Sequence, residues 1–126
     1  MSDTTTAPAA ADAATQAALE RLNTVIDRLI APDGCPWDST QTPESLTEYV
    51  IEECHELVDA IRSGKTADMV EELGDVAFLL LMIGKLMARA GGPSLADALE
   101  VEPAKMVRRQ PHVFSDTTYD NQSEQL

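Results

Sequence analysis

Basic residues are scarce in this chain. It carries 9 lysines and arginines against 22 aspartates and glutamates, which gives a formal net charge of −13. So acidic a surface repels the phosphates of nucleic acids and the headgroups of anionic membranes. We therefore expect neither a nucleic acid nor a membrane as a partner.

Cysteines and long apolar runs are also scarce. Cys35 and Cys54 are the two cysteines and lack CxxC spacing, so we predict neither a disulfide framework nor a zinc knuckle. The longest strictly apolar run, 76–83, is too short to span a bilayer. The N-terminus has no basic region followed by an apolar stretch, so we predict no signal peptide and expect a cytoplasmic location.

Helical periodicity runs through most of the sequence, and no alternating strand pattern is present. We predict an all-α domain over residues 13–114, a bundle of about four helices completed by homodimerisation. Residues 1–12 are rich in Ala and Thr, and residues 115–126 are polar and acidic. We expect these two segments to form a disordered N-terminal tail and a loose C-terminal tail.

Proline and glycine mark the predicted helix ends. Thr42 before a proline is typical of a helix N-cap, although Ser45 does not complete a capping box. Gly64 suits the C-terminal end of the same helix. The predicted helices cover residues 13–30, 43–62, 66–90, 95–99 and 102–109.

The first of two acidic clusters is Glu52-Glu53-Cys54-His55-Glu56. At about 100° per residue, Glu53 falls within the apolar stripe of its helix and Glu56 lies at the stripe's edge. A carboxylate among core residues resists desolvation unless a cation accompanies it. The stripe consists of Leu46, Val50, Leu57 and Ile61.

The second cluster lies on the next helix, where Asp68, Glu72 and Asp75 are spaced i, i+4, i+7 and form one acidic edge. Glu53, Glu56, Glu72 and Asp75 have no Lys or Arg three or four residues away, so no helix salt bridge explains them. If the two helices pack antiparallel, the clusters face each other. Grouped carboxylate oxygens suit Mg²⁺, with Mn²⁺ as a possible substitute.

Two further features are compatible with phosphate chemistry but do not establish it. Lys105, Arg108 and Arg109 fall within five positions, which is typical of either a phosphate clamp or a basic helix C-terminus. Trp37, the single tryptophan, lies in a loop bounded by Pro and Gly. A single tryptophan in such a loop is more often a core residue than a base-stacking platform, and alone it does not decide the function.

Three blocks of the chain resemble the MazG-type nucleoside triphosphate pyrophosphohydrolases. They occur in family order and distinguish this branch from the related dUTPase and dCTPase branches. The blocks are Gly34-Cys35-Pro36-Trp37-Asp38-x-x-Gln41-Thr42, then Glu52-Glu53-x-x-Glu56 with Glu72-x-x-Asp75, then Arg108-Arg109-Gln110-Pro111-His112-Val113-Phe114. Gln110 stands where the family usually has His, and only one such domain is present, whereas longer relatives carry two.

The resemblance implies a dimeric all-α bundle that hydrolyses ribo- and deoxynucleoside triphosphates to the monophosphate and pyrophosphate by Mg²⁺-dependent attack at the α-phosphorus. It also implies a house-cleaning role in the nucleotide pool. The implied catalytic residues are Glu52 and Glu53, of which Glu53 is the candidate for activating water. The implied metal ligands are Glu52, Glu53, Glu56, Glu72 and Asp75. The implied substrate contacts are Trp37, Asp38 and Gln41 near the base or sugar, and Lys105, Arg108 and Arg109 near the phosphates.

Two other functions remain open from the sequence. Glu52-x-x-His55 is the ligand spacing of di-iron carboxylate bundles, in which a homodimer would supply the second copy, although His55 points roughly opposite Leu57. The run 76–83 could instead be the partner surface of a non-catalytic interaction module. The sequence leaves open the preferred nucleotide, the number of metals per site and the choice between dimer and tetramer.

Overall fold

The computed structural model of the protein describes residues 6–114, and within that range every regular element is helical. The predicted all-α fold is therefore confirmed, with four long helices and two short ones. None of these helices combines the length and the apolar character that crossing a bilayer needs. The elements are α1 (Thr6–Ile30), α2 (Pro36–Ser39), a 3₁₀ turn (Glu44–Leu46), α3 (Thr47–Ser63), α4 (Thr66–Arg89), α5 (Leu95–Arg109) and α6 (Pro111–Phe114).

Helix α1 begins at Thr6 rather than at residue 13. The structure has a helix over residues 6–12, where a disordered tail was predicted. Alanine, which fills four of these seven positions, has the highest intrinsic helix propensity, and Pro8 lies in the first turn, where a proline is tolerated. The remainder of that tail and the predicted tail 115–126 lie outside the described residues. Helix α1 ends where Gly34 turns the chain so closely that a Cβ there would lie 2.3 Å from the Arg28 carbonyl oxygen.

The second long helix begins later than predicted, because the chain from residue 43 first forms the 3₁₀ turn and α3 starts at Thr47. The capping ahead of that turn also differs from the prediction. The Ser45 amide donates to Thr42 Oγ1 at 3.1 Å, and the Thr42 amide donates to Ser45 Oγ at 2.9 Å. These reciprocal bonds form a capping box that Ser45 was predicted not to complete, because its hydroxyl replaces the usual carboxylate or amide acceptor. The other end matches the prediction, since Gly64 adopts a left-handed φ of 73° after α3.

Helix α5 runs unbroken through Pro103, whereas two separate segments were predicted. Ser94 and Asp97 form a capping box that fixes its start. Pro103 removes one intrahelical bond to the carbonyl of Leu99, but α5 has no buried residue, so water can bond that carbonyl. The cost of the proline is therefore small enough for the helix to continue.

Helices α3 and α4 form an antiparallel hairpin across the two-residue turn 64–65, and they pack against each other more extensively than any other pair of described elements. Helix α1 lies against the C-terminal half of α4, where Lys85 Nζ and Asp27 Oδ1 form an ion pair at 2.6 Å. The apolar core is therefore concentrated at one end of the hairpin. It consists of Ile26, Ile30, Leu46, Leu79, Leu81, Met82 and Leu86.

Helix α5 begins against α4 at Gly84. A Cβ at Gly84 would lie 2.8 Å from the Leu95 Cβ, which is closer than real Cβ atoms approach. The missing side chain thus lets the first turn of α5 pack directly on the α4 backbone.

The hairpin also has an apolar outer face that nothing in residues 6–114 covers. On α3, Ile61 was predicted to face the core but is 56% exposed, and Ile51 and Val58 are exposed beside it. On α4, Leu73 and Leu80 are exposed. They belong to a row with alternating spacings of four and three residues, which is the pattern of a helix–helix seam. We call this row the α4 seam: Met69, Leu73, Val76, Leu80, Ile83 and Met87.

Candidate metal centre

Carboxylates from both helices of the hairpin meet at the end away from the apolar core. Glu53 and Glu56 of α3 and Glu72 of α4 each offer an oxygen, and these oxygens all lie within 4.8 Å of one another. Their convergence follows from the antiparallel packing, which places the middle of α3 beside the first turns of α4. Three of the five predicted ligands are therefore brought together.

A second group overlaps the first at Glu72. One oxygen each from Glu71, Glu72 and Asp75 also lie within 4.8 Å of one another. Glu71 was not among the predicted ligands, although its i, i+4 spacing to Asp75 was a readable signal. The two groups together form one acidic site shared by α3 and α4.

Two oxygens in this site are buried without a hydrogen-bond partner. They are Oε2 of Glu53 and Oε2 of Glu72. A buried carboxylate oxygen without a partner is costly, because it has lost water and gained nothing in return. An oxygen-preferring divalent cation between the two helices would satisfy both atoms, so the residues present fit Mg²⁺.

The electrostatics of the site agree with this geometry. Desolvation by burial, followed by the charges of Glu56 and Asp75, raises the pKa of Glu53. Burial and the neighbouring Glu56 raise the pKa of Glu72 to about 7. Burial and mutual repulsion thus raise the pKa of Glu53 and of Glu72, and a divalent cation would relieve the repulsion.

Glu52 and His55 lie outside both carboxylate groups. Glu52 is exposed, and among the described residues neither group includes it. Its assignment as a metal ligand and as a catalytic residue stays a prediction. His55 is exposed and lies beside Ile51 and Val58 on the outer face of α3, so the di-iron arrangement gains no support from the geometry.

Trp37 contacts Tyr49 of α3, the helix that also carries Glu53. The two ring centroids are 5.7 Å apart and the rings are nearly perpendicular at 88°. Tyr49 precedes Glu53 by four residues on α3, which is about 6 Å of helix rise on the same face. Trp37 is 48% exposed, so a core position is excluded. Tyr49 was missed by the sequence analysis, although its i, i+4 spacing to Glu53 was visible.

Asp38 and Gln41 shape the segment that carries Trp37. Asp38 is buried, with 8% of its surface exposed. The Gln41 side chain uses both ends of its amide locally: Nε2 donates to the Trp37 carbonyl at 3.1 Å, and Oε1 accepts from Ser45 Oγ at 2.6 Å. Their predicted contacts with a base or sugar remain predictions.

Arg89 also holds this segment and was not predicted. Its guanidinium donates to the carbonyls of Ile30 at 2.8 Å and Ser39 at 3.1 Å, with a longer bond of 3.4 Å to Gln41. It thereby ties the last turn of α4 to the end of α1 and to the residues after α2. These carbonyl groups lie far from Arg89 in the sequence, so no local sequence pattern predicts their hydrogen bonds with it.

The predicted phosphate-binding cations lie on α5. Lys105 Nζ forms an ion pair with Glu102 Oε1 at 2.6 Å on the same helix. Helix α5 meets α4 at Gly84, nine residues and about 13 Å of helix rise beyond Asp75. The role of Lys105, Arg108 and Arg109 near phosphates therefore stays a prediction.

An antiparallel helical hairpin with one buried, unpartnered carboxylate oxygen from each helix defines an α-helical protein with a candidate cation site. The MazG nucleotide pyrophosphohydrolase domain matches residues 41–114. The chain therefore belongs to the MazG nucleotide pyrophosphohydrolase family, as the resemblance of its motifs predicted.

Individual relatives agree with this assignment. The chain is 40% identical over 98 residues to the nucleoside triphosphate pyrophosphohydrolase/pyrophosphatase MazG of Thermotoga maritima, covering 78% of this chain and 38% of that protein. It is 37% identical over 109 residues to the nucleoside triphosphate pyrophosphohydrolase of Escherichia coli K12, covering 86% and 41%. It is 42% identical over 102 residues to the uncharacterized protein YabN of Bacillus subtilis, covering 81% and 21%.

The fold has a counterpart among solved structures. The crystal structure of a mazG-related protein from Thermotoga maritima superposes with a TM-score of 0.67 at 28% identity, covering 83% of this chain and 90% of that one. The curated relatives are much longer, since this chain spans only between 21% and 41% of their length.

Proposed function

We propose that the protein hydrolyses ribo- and deoxynucleoside triphosphates to the monophosphate and pyrophosphate in a Mg²⁺-dependent reaction. One observation carries the proposal: Glu53 Oε2 and Glu72 Oε2 are buried without partners in a group of converging carboxylates. The names of the Thermotoga and Escherichia coli relatives support the choice of substrate class.

The acidic site would hold the ion. Glu53, Glu56, Glu72 and Asp75 are the ligands we propose from the two groups, and Glu52 would join them from the exposed side of α3. Mg²⁺, or Mn²⁺ in its place, would neutralise phosphate charge and acidify a water molecule.

Glu53 is the residue we propose to accept the proton of the attacking water. A carboxylate has two oxygens, so one oxygen of Glu53 could bind the ion while the other accepts the proton. Attack would fall on the α-phosphorus, so pyrophosphate would leave. Glu52 would assist from the same helix.

The remaining contacts with substrate are assigned by the family motif. Trp37, Asp38 and Gln41 would lie near the base or sugar. Lys105, Arg108 and Arg109 would bind the phosphates.

A homodimer is the assembly we propose. The α4 seam and the exposed apolar residues of α3 form one continuous surface, because Val50 and Ile51 line the same groove as Ile83. Burying apolar side chains against a second copy would stabilise a small bundle whose own core occupies one end of the hairpin. A protein of this kind acting on free nucleotides would work in the cytoplasm as a house-cleaning enzyme of the nucleotide pool.

A pyrophosphate-release screen over canonical and damaged nucleoside triphosphates tests the activity. We expect release with Mg²⁺, none with EDTA, and none from the Glu53→Gln variant, whose fold is checked by circular dichroism. Hydrolysis that persists in EDTA, or a purified protein with tightly held iron and visible absorption, would contradict the proposal.

A further inference from the structure

We propose that Tyr49 is a positioning residue that holds the Trp37 indole as a stacking platform for the nucleobase, so that the site prefers purine over pyrimidine nucleoside triphosphates. This inference rests on the proposed function and adds a residue and a substrate preference to it. The Trp37 and Tyr49 rings are in perpendicular contact, with their centroids 5.7 Å apart.

The backbone of Trp37 is fixed independently of its ring. The Trp37 carbonyl accepts hydrogen bonds from Gln41 Nε2 and from Thr40 Oγ1, each at 3.1 Å. Arg89 holds the carbonyl of Ser39 two residues further on. With the backbone fixed, the direction of the indole depends on its own side-chain torsions, and Tyr49 is the aromatic neighbour that restrains them.

The indole nevertheless keeps about half of its surface open. Trp37 is 48% exposed and Tyr49 is 42% exposed. An edge-to-face pair is a favourable arrangement of two aromatic rings, so the contact orders the indole without enclosing it. A restrained, open indole presents an aromatic surface on which a planar base can stack.

The position of this surface suits a nucleotide bound at the acidic site. Tyr49 and Glu53 lie one turn apart on the same face of α3, separated by about 6 Å of helix rise. In a nucleotide, a single ribose separates the α-phosphate from the base. A phosphate held through a cation at the carboxylates would therefore leave its base within reach of the Trp37–Tyr49 pair.

The strength of stacking on an open ring depends more on the size of the base than on its hydrogen-bonding pattern. Every base has a π-face, and the gain from stacking grows with the overlap that the base offers. A two-ring purine covers more of the indole than a one-ring pyrimidine. We therefore expect a lower KM for purine nucleotides, by roughly threefold to tenfold, with similar kcat.

The experiment compares Tyr49→Leu with Tyr49→Phe, using Glu48→Gln as a control on the exposed surface of α3. We expect Tyr49→Leu to raise the KM for ATP and dATP roughly threefold to tenfold at nearly unchanged kcat, and Tyr49→Phe to behave like the parent. Inorganic tripolyphosphate, which has no base, serves as a competitive inhibitor. Its Ki should be the same in all four proteins.

Fluorescence gives a second readout, because Trp37 is the single tryptophan of the chain. Adding AMP or GMP should quench the emission of the parent and of Tyr49→Phe, and should quench that of Tyr49→Leu much less. Equal changes in the Ki for tripolyphosphate and the KM for ATP would overturn the inference, as would emission that purine nucleotides leave unchanged. If the parent hydrolyses no nucleotide, the proposed function fails, while quenching by AMP still tests the platform separately.

Discussion

Arg89 Nη1 donates a hydrogen bond to the carbonyl oxygen of Ile30 at 2.8 Å, and this bond joins the C-terminal ends of α4 and α1. The same guanidinium reaches the carbonyl of Ser39. Arg89 thus holds the loop that carries Trp37, although Arg89 itself lies far from the carboxylates along α4.

Replacing this guanidinium should destabilise the protein. In Arg89→Met the carbonyl of Ile30 loses its charged donor, and we expect the free energy of unfolding to fall by about 1–3 kcal/mol. Urea denaturation measures the change. Arg62→Met, at the exposed end of α3, is the matched control and should change stability by less than about 0.5 kcal/mol. Equal effects of the two substitutions would show that the carbonyl bonds of Arg89 contribute nothing.

Removing the charge of Glu53 should separate stability from activity. Without added metal, Glu53→Gln should unfold at a higher temperature than the parent, because the repulsion from Glu56 and Asp75 is relieved. Pyrophosphate release should fall at least about 100-fold. Asp75→Asn should show the same two effects. The exposed Glu48→Gln controls for loss of an acid elsewhere on α3. Variants that hydrolyse dNTPs as well as the parent would show that the acidic site is assigned wrongly.

The stability of the metal-free protein should depend on pH through Glu72. Its pKa rises from the ordinary 4.5 to about 7 in the folded state, so the folded protein binds more protons than the unfolded chain between these values. Stability must then fall as pH rises toward and through 7. Thermal unfolding in EDTA at pH 5.5 and pH 8 should show the fall. Mg²⁺ should reduce this fall in stability, and so should Glu72→Gln. An equally large fall in Glu72→Gln would show that other groups cause it.

Gly84 should not accept a side chain. In Gly84→Ala the new methyl group meets the Leu95 Cβ, and we expect a loss of about 1–3 kcal/mol through overpacking. Gly74→Ala on the same helix meets nothing within 4 Å and should stabilise the protein by up to about 1 kcal/mol. Leu95→Gly, which removes the Cβ that the new methyl group meets, should offset part of the loss in a double-mutant cycle. Equal stabilities of the two alanine variants would contradict this account of the α4–α5 contact.

The α4 seam should control association. Leu73 is 59% exposed, and replacing it with glutamate would place a charge in the proposed dimer surface. We expect the parent to sediment as a dimer and Leu73→Glu as a monomer in analytical ultracentrifugation, with a melting temperature that depends on concentration only in the parent. The exposed α5 residue Leu99, replaced by glutamate, is the control and should leave the sedimentation unchanged. A monomeric parent would rule out the dimer, and a larger species would favour a tetramer.

Local chemistry explains why much of the fold could be predicted. The hairpin follows from helical periodicity on both sides of Gly64, and the facing of Glu53 and Glu72 follows from the phase of each helix. The start of α1 and the passage of α5 through Pro103 could not be predicted in the same way. They depend on how far a strong propensity extends and on whether water can reach an unbonded carbonyl.

The parts of the site that were missed depend on contacts between distant segments. The pairing of Tyr49 with Trp37 and the bonds of Arg89 to three carbonyls exist only once α2 lies against α3 and α4. For Ile61 the error is the opposite one, because a core contact was predicted that the structure does not contain. Ile61 shares the phase of a core-facing stripe, yet it lies past the end of the core, where no other described element covers it.

The apolar core and the carboxylates occupy opposite ends of the same helical hairpin, and this separation makes the two ends unequal in local stability. Leu86 is buried in the core that α1 helps to form, whereas Glu72 is half-buried and lies outside that core. Local unfolding events should therefore open the acidic end first, and amide hydrogen exchange should be fastest there. An ion bound between α3 and α4 would suppress that opening. Metal occupancy would therefore control the rigidity of the acidic half of the hairpin.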